Sequence, residues 1–195
     1  MFRFFSKSLM GRLVTLFLLA AIIPLVIVAV LSFYYSENAL KETAFNQLSS
    51  INQIKKNQIM GFLEERMGDM SILAKSSDVF QAFERLLAYH DAGGGDPNGA
   101  YDVNKERYKD VYEKIDPFFR DYLKTYGYYD VFLICKAHGH VMYTAEREDD
   151  LGTNLKIGPL RDSGLAKLWS RVLKEKKVAI VDFNHYAPSN GAAAF

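Results

Sequence analysis

The chain has 195 residues, a net charge of +1 with near-equal acid and base counts, and 14% aromatic residues. Such a balance leaves no polyanion footprint, so nucleic acid is not an expected partner, and the aromatic content describes a globular chain rather than a disordered one. A single cysteine, Cys135, excludes an intramolecular disulfide framework.

No charged side chain falls between Arg12 and Glu37, and the run Leu13 to Tyr35 is almost wholly apolar. About 20 such residues in a helix cross a hydrocarbon core of about 30 Å. Residues 13–35 are therefore expected to form a transmembrane helix after a cytoplasmic tail, residues 1–12. Arg3, Lys7 and Arg12 precede the span with no acidic residue among them, and the positive-inside bias then holds the N-terminus in the cytoplasm. Residues after about 35 are expected outside the bacterial cell (inner) membrane, in periplasmic or extracellular space. The span lacks a small-residue cleavage site at Ser32-Phe33-Tyr34-Tyr35, which argues for an anchor rather than a signal peptide. Pro24, in mid-span, is read as a mild kink.

From Ser36 to about Ser76 apolar residues recur at helical spacing through Leu40, Leu48, Ile51, Ile54, Ile59, Met67, Met70 and Leu73. Residues 36–76 are expected to form a long helix, capped at Ser36 or continuous with the span, able to carry displacement from a domain to the membrane. Its apolar stripe makes a homodimer plausible. Ser77 opens a second helical pattern that stops at the glycine-rich stretch Asp91 to Gly99, read as a surface loop because neither strand nor Lys-Ser context makes it a phosphate cradle. Lys105 to Tyr126 is helical again, with a break or kink expected at Pro117.

At Gly127 the period changes. Tyr129 to Lys136 and Val141 to Ala145 read as a hairpin around Ala137-His138-Gly139-His140. Cys135, in the apolar first strand, is expected to be buried and inert. A helix from about Ser163 to Lys176 and a third strand, Val178 to Phe183, follow. His185 to Ala192 reads as a turn, and Ala193-Ala194-Phe195 as the beginning of a further strand, so strands beyond Phe195 are expected to complete the sheet.

Tyr126-Gly127-Tyr128-Tyr129-Asp130-Val131-Phe132-Leu133-Ile134, Gly139, Val141-Met142-Tyr143-Thr144, Glu146 and Asp150 form one block of a recognisable series. Gly152-Thr153-Asn154-Leu155, Asp162-Ser163-Gly164-Leu165-Ala166, Val181-Asp182-Phe183 and Tyr186-Ala187-Pro188-Ser189 complete it. From Ser36 onward the series resembles the double Cache sensor domain of bacterial methyl-accepting chemotaxis proteins and receptor kinases. That resemblance implies an α+β architecture: transmembrane helix, stalk helix, then a membrane-distal PAS-like antiparallel sheet flanked by helices, here residues 77–195. It also implies a second module, a returning membrane helix and a cytoplasmic output beyond Phe195.

In a PAS-like pocket, Tyr143, Thr144, Arg147, Arg161, Trp169, Asp182 and Tyr186 are the expected ligand-binding residues. Arg with Tyr and Thr suits a carboxylate, and Asp182 suits an ammonium group, so an amino acid or small carboxylate is the expected ligand. Each has a plainer reading: a solvated turn at Glu146-Arg147-Glu148, and a core position for Trp169. His138 and His140 are expected to be exposed turn histidines rather than metal ligands, with only His90 and His185 available to join them. No cofactor is expected. Catalysis is not expected either: the chain has no nucleophile elbow, His-Glu-x-x-His or P-loop, and Glu146, Asp149 and Asp150 sit in a polar turn. The function expected is extracytoplasmic ligand sensing for a chemoreceptor, with a histidine kinase, a nucleotide cyclase or an output-free binding module as alternatives.

Overall fold

The computed structural model describes residues 9–195; Arg3 and Lys7, which set the expected orientation, lie outside the described residues. It is a mixture of helix and small sheets, 62% helical, with two two-stranded sheets. A single helix, α1 (Leu9–Leu73), contains both the apolar run and the expected stalk, with Pro24 inside it. Ser36 therefore caps nothing: the helix passes through it. The stretch is long and apolar enough to cross a membrane.

Two compact units divide at Phe62 and Leu63. In the first, the apolar side chains of the helix, among them Leu16, Phe17, Ile27, Leu48, Ile51 and Ile54, are all exposed. The second unit begins with the last turns of α1 and continues through α2 (Ser77–Tyr89), α3 (Glu106–Tyr126), β1 (Phe132–Ile134), β2 (Val141–Thr144), α4 (Gly164–Glu175), β3 (Asn184–Tyr186) and β4 (Gly191–Ala193). Ser76 caps α2 by accepting from the Val79 N–H, and Ser163 caps α4 by accepting from the Ala166 N–H. Pro117 does not end α3, which runs on to Gly127; the apolar face holding Ile115, Phe119 and Leu123 in the core outweighs the lost backbone bond.

Strands β1 and β2 pair antiparallel, Phe132 with Thr144, Leu133 with Tyr143 and Ile134 with Val141. The register shift between Leu133 and Ile134 is a bulge, and it lets consecutive Met142 and Tyr143 both enter the core under α2 and α3. Phe132, Ile134 and Val141 face a second, smaller core with Leu155, Leu165, Trp169, Tyr186 and Phe195. On its other side β2 is flanked by residues 152–155, through Gly152 N–H to Val141 O, Val141 N–H to Thr153 O and Leu155 N–H to Gly139 O.

Tyrosine hydroxyls dock the helices. Tyr101 donates to Leu86 O, Tyr108 to Met142 O at 3.0 Å, Tyr112 to Thr144 O and Ala145 O, and Tyr143 to the Asp116 carboxylate at 2.8 Å. Each ring fills the core while its hydroxyl satisfies a buried acceptor, which is how a buried tyrosine avoids a desolvation penalty. The last turns of α1 are held in the same way, Tyr128 donating to Asp69 at 3.1 Å with Arg66 over its ring.

The C-terminal stretch departs from expectation. Val178 to Phe183 is not a strand; within it, Val181 exchanges two backbone bonds with Phe195. The pairing is made instead by Asn184 with Ala193 and Tyr186 with Gly191, so the expected turn from His185 to Ala192 contains most of a second hairpin. In place of the single three-stranded sheet expected, the described residues form two separate hairpins, and the expected third strand belongs to neither.

Candidate functional site

The residues expected to bind ligand are spread over the second unit. Tyr143 is fully buried against Tyr112 and Phe119 with its hydroxyl on Asp116, and Thr144 is fully buried with its hydroxyl on Asp130. Arg147 is exposed, at φ +56°, with its guanidinium 4.7 Å from the Tyr112 ring centre. Arg161 is exposed and pairs with Asp162. Trp169 is half-buried against the second core. Asp182 is exposed and accepts from the Phe183 N–H, whereas Tyr186 is buried and donates to Asp150 at 2.8 Å. Tyr143 and Thr144 thus have their polar atoms engaged by carboxylates of the protein itself.

Two carboxylates organise this region, Asp130 and Asp150, neither of them among the expected ligand-binding residues. Asp130, after α3, accepts from the backbone N–H groups of Val131, Ala145 and Glu146 and from the Thr144 hydroxyl. Asp150 is fully buried, correcting its placement in a solvated turn. Burial pushes its carboxyl up to about 6, with the negative charges of Asp130 and Glu148 adding to the rise and the Tyr186 hydroxyl opposing it. Its second oxygen, Oδ1, has no hydrogen-bond partner.

A cleft of about 470 Å³ opens between residues 98–104 and 151–159, with Tyr101, Val103, Thr153 and Asn154 among its walls. Cavities of a few hundred Å³ suit small molecules. None of the expected ligand-binding residues lines it.

Behind the cleft wall lies a cluster of histidines. His90 follows α2 in a wide turn, His90–Gly94, and His138 and His140 belong to the β1–β2 turn. The glycine between them is required: Gly139 has φ +79°, and a Cβ there would lie 3.2 Å from Lys156 N and from the Trp169 ring. The turn folds the imidazoles back toward α2, so that one ring nitrogen of each lies within 4.8 Å of the others. His140 is fully buried, His90 is 9% exposed and His138 is intermediate. The expected exposed turn histidines are therefore part of the interior, and the glycine-rich stretch is not simply a surface loop, because Asp96 and Gly99 direct their carbonyls at His140 Nε2, at 2.9 and 3.2 Å. Burial holds the His140 imidazole below its ordinary value, against the pull of those carbonyls. Cys135, buried as expected, has its sulfur 3.9 Å from His138 Nδ1.

The spacing His138-x-His140 was visible in the sequence, but its meeting with His90 needs the tertiary fold. No protein-family model, curated protein or solved structure matches this chain.

Proposed function

We propose that this chain is the extracytoplasmic ligand-sensing part of a bacterial transmembrane receptor of the double Cache type, with a methyl-accepting chemotaxis protein as the leading assignment. The observation that carries the reading is α1: one helix includes a stretch long and apolar enough to cross a membrane and ends in residues, Met70 and Leu73, that belong to the core of the mixed α/β unit. A hairpin with helices packed on it and an adjacent cleft supports a PAS-like module. The ligand is a small molecule, an amino acid or carboxylate, bound in or beside that cleft, and it shifts the equilibrium between two packings of the helix. The exposed apolar residues Leu40, Leu48, Ile51 and Ile54 support a homodimer through α1.

The test uses the full chain in native membranes with Ile51→Cys as the reactive site, Cys135 being buried. Cross-linking between copies is expected, at a rate that changes when a panel of amino acids and small carboxylates is added. A rate indifferent to every member of the panel would contradict ligand sensing, and absence of cross-linking would contradict the dimer.

A further inference from the structure

We propose that His90, His138 and His140 form a binding site for a divalent transition-metal ion of the zinc and nickel class, tying the end of α2 to the β1–β2 turn. The assignment does not depend on the receptor reading.

The hydrogen bonds around the rings select the free nitrogens. His90 Nδ1 lies 3.1 Å from the Asp91 carboxylate and donates to it. His140 Nε2 faces two carbonyls, which can only accept, so that nitrogen carries the proton. In the neutral tautomers that these bonds select, the lone pairs fall on His90 Nε2 and His140 Nδ1, and these two atoms are buried without any hydrogen-bond partner. Buried polar atoms are nearly always satisfied, so a pair of orphaned lone pairs in one cluster calls for a ligand. A carboxylate or backbone carbonyl on the far nitrogen is the usual outer partner of a metal-bound histidine, fixing its tautomer and raising its basicity. His138 supplies the third imidazole. Its ring stacks on His90 at 5.1 Å between centres, with the planes 11° apart.

The surroundings are shaped to these rings. A Cβ on Gly95 would lie 2.2 Å from His90 Cδ2 and 2.7 Å from Nε2, so a side chain there would displace the His90 ring. Tetrahedral zinc at about 2.0–2.1 Å from each nitrogen brings its ligands to about 3.4 Å apart. The ring nitrogens, all within 4.8 Å of one another, therefore close to that spacing by side-chain rotation on loading. Three neutral imidazoles leave the fourth position for water or an added ligand, and their nitrogen chemistry favours zinc, nickel or copper over magnesium or calcium.

The full chain, purified in detergent without a histidine tag and stripped with chelator, is titrated with zinc by calorimetry. One zinc per chain is expected. His138→Ala, on the most accessible ring, should weaken binding by more than about 100-fold, and Asp91→Asn, an exposed outer partner, by about 10-fold. The metal-free melting temperature serves as the check on folding for both variants. Cobalt in place of zinc should give the visible absorption of a tetrahedral site. Absence of stoichiometric binding to the wild-type chain would overturn the site, as would zinc affinity unchanged in both variants.

Discussion

Asp150 is a buried carboxylate that accepts a hydrogen bond from the Tyr186 hydroxyl. Its carboxyl is pushed up to about 6 from an ordinary value of 3.8, so in the folded chain it keeps a proton that the unfolded chain has already lost. For this group stability is greatest below about pH 4, falls as the pH rises toward 6 and is level above, a loss on the order of 3 kcal/mol. Asp150→Asn retains the shape and removes the charge. Its melting temperature should exceed that of the wild type at pH 7, with the difference shrinking steadily toward pH 4. A difference that does not vary with pH would show that Asp150 titrates normally. Composition hides its burial, because the charged run Glu146 to Asp150 reads as a solvated turn; the partner Tyr186 is delivered by the second hairpin from 36 residues away.

At the scale of elements, α3 and β2 are joined by tyrosines that combine apolar rings with directed hydroxyls. Tyr108→Phe removes the donor to Met142 O while leaving the ring in place, and should cost about 1–2 kcal/mol. Phe119→Ala, at a fully buried position, should cost about 4 kcal/mol through lost transfer energy and a residual cavity. Denaturant unfolding followed by the fluorescence of Trp169, the single tryptophan, measures both, and equal costs would contradict this division of roles. Helical periodicity located α2 and α3, each burying a face along its length, and α4, which buries only its first turn, Gly164 to Ala166, and leaves Val172, expected in the core, exposed; the first hairpin was legible because β1 is apolar and its turn contains glycine. The same reasoning misplaced the third strand. Val178 to Phe183 has strand composition, but a strand is defined by its partner, and β4 pairs with Asn184–Tyr186. Pairing partners and bulges are tertiary choices that composition does not encode. The histidine cluster is of this kind too, since His140 follows His90 by 50 positions in the sequence.

At the scale of the whole molecule, the apolar run is the feature the sequence stated most plainly, and α1 includes it within one helix. The reading of this chain as a receptor's sensor requires that the anchor remain and that the α/β unit stand outside the cytoplasm. Lys167 is exposed on α4, so Lys167→Cys offers a reactive thiol on that unit while Cys135 stays buried. Spheroplasts expressing the full-length variant are treated with a membrane-impermeant maleimide before and after lysis, and the membranes are then washed at alkaline pH. Labelling of intact spheroplasts, with the protein retained in the washed membranes, is the predicted result. Labelling only after lysis, or release of the protein into the soluble fraction, would contradict the account.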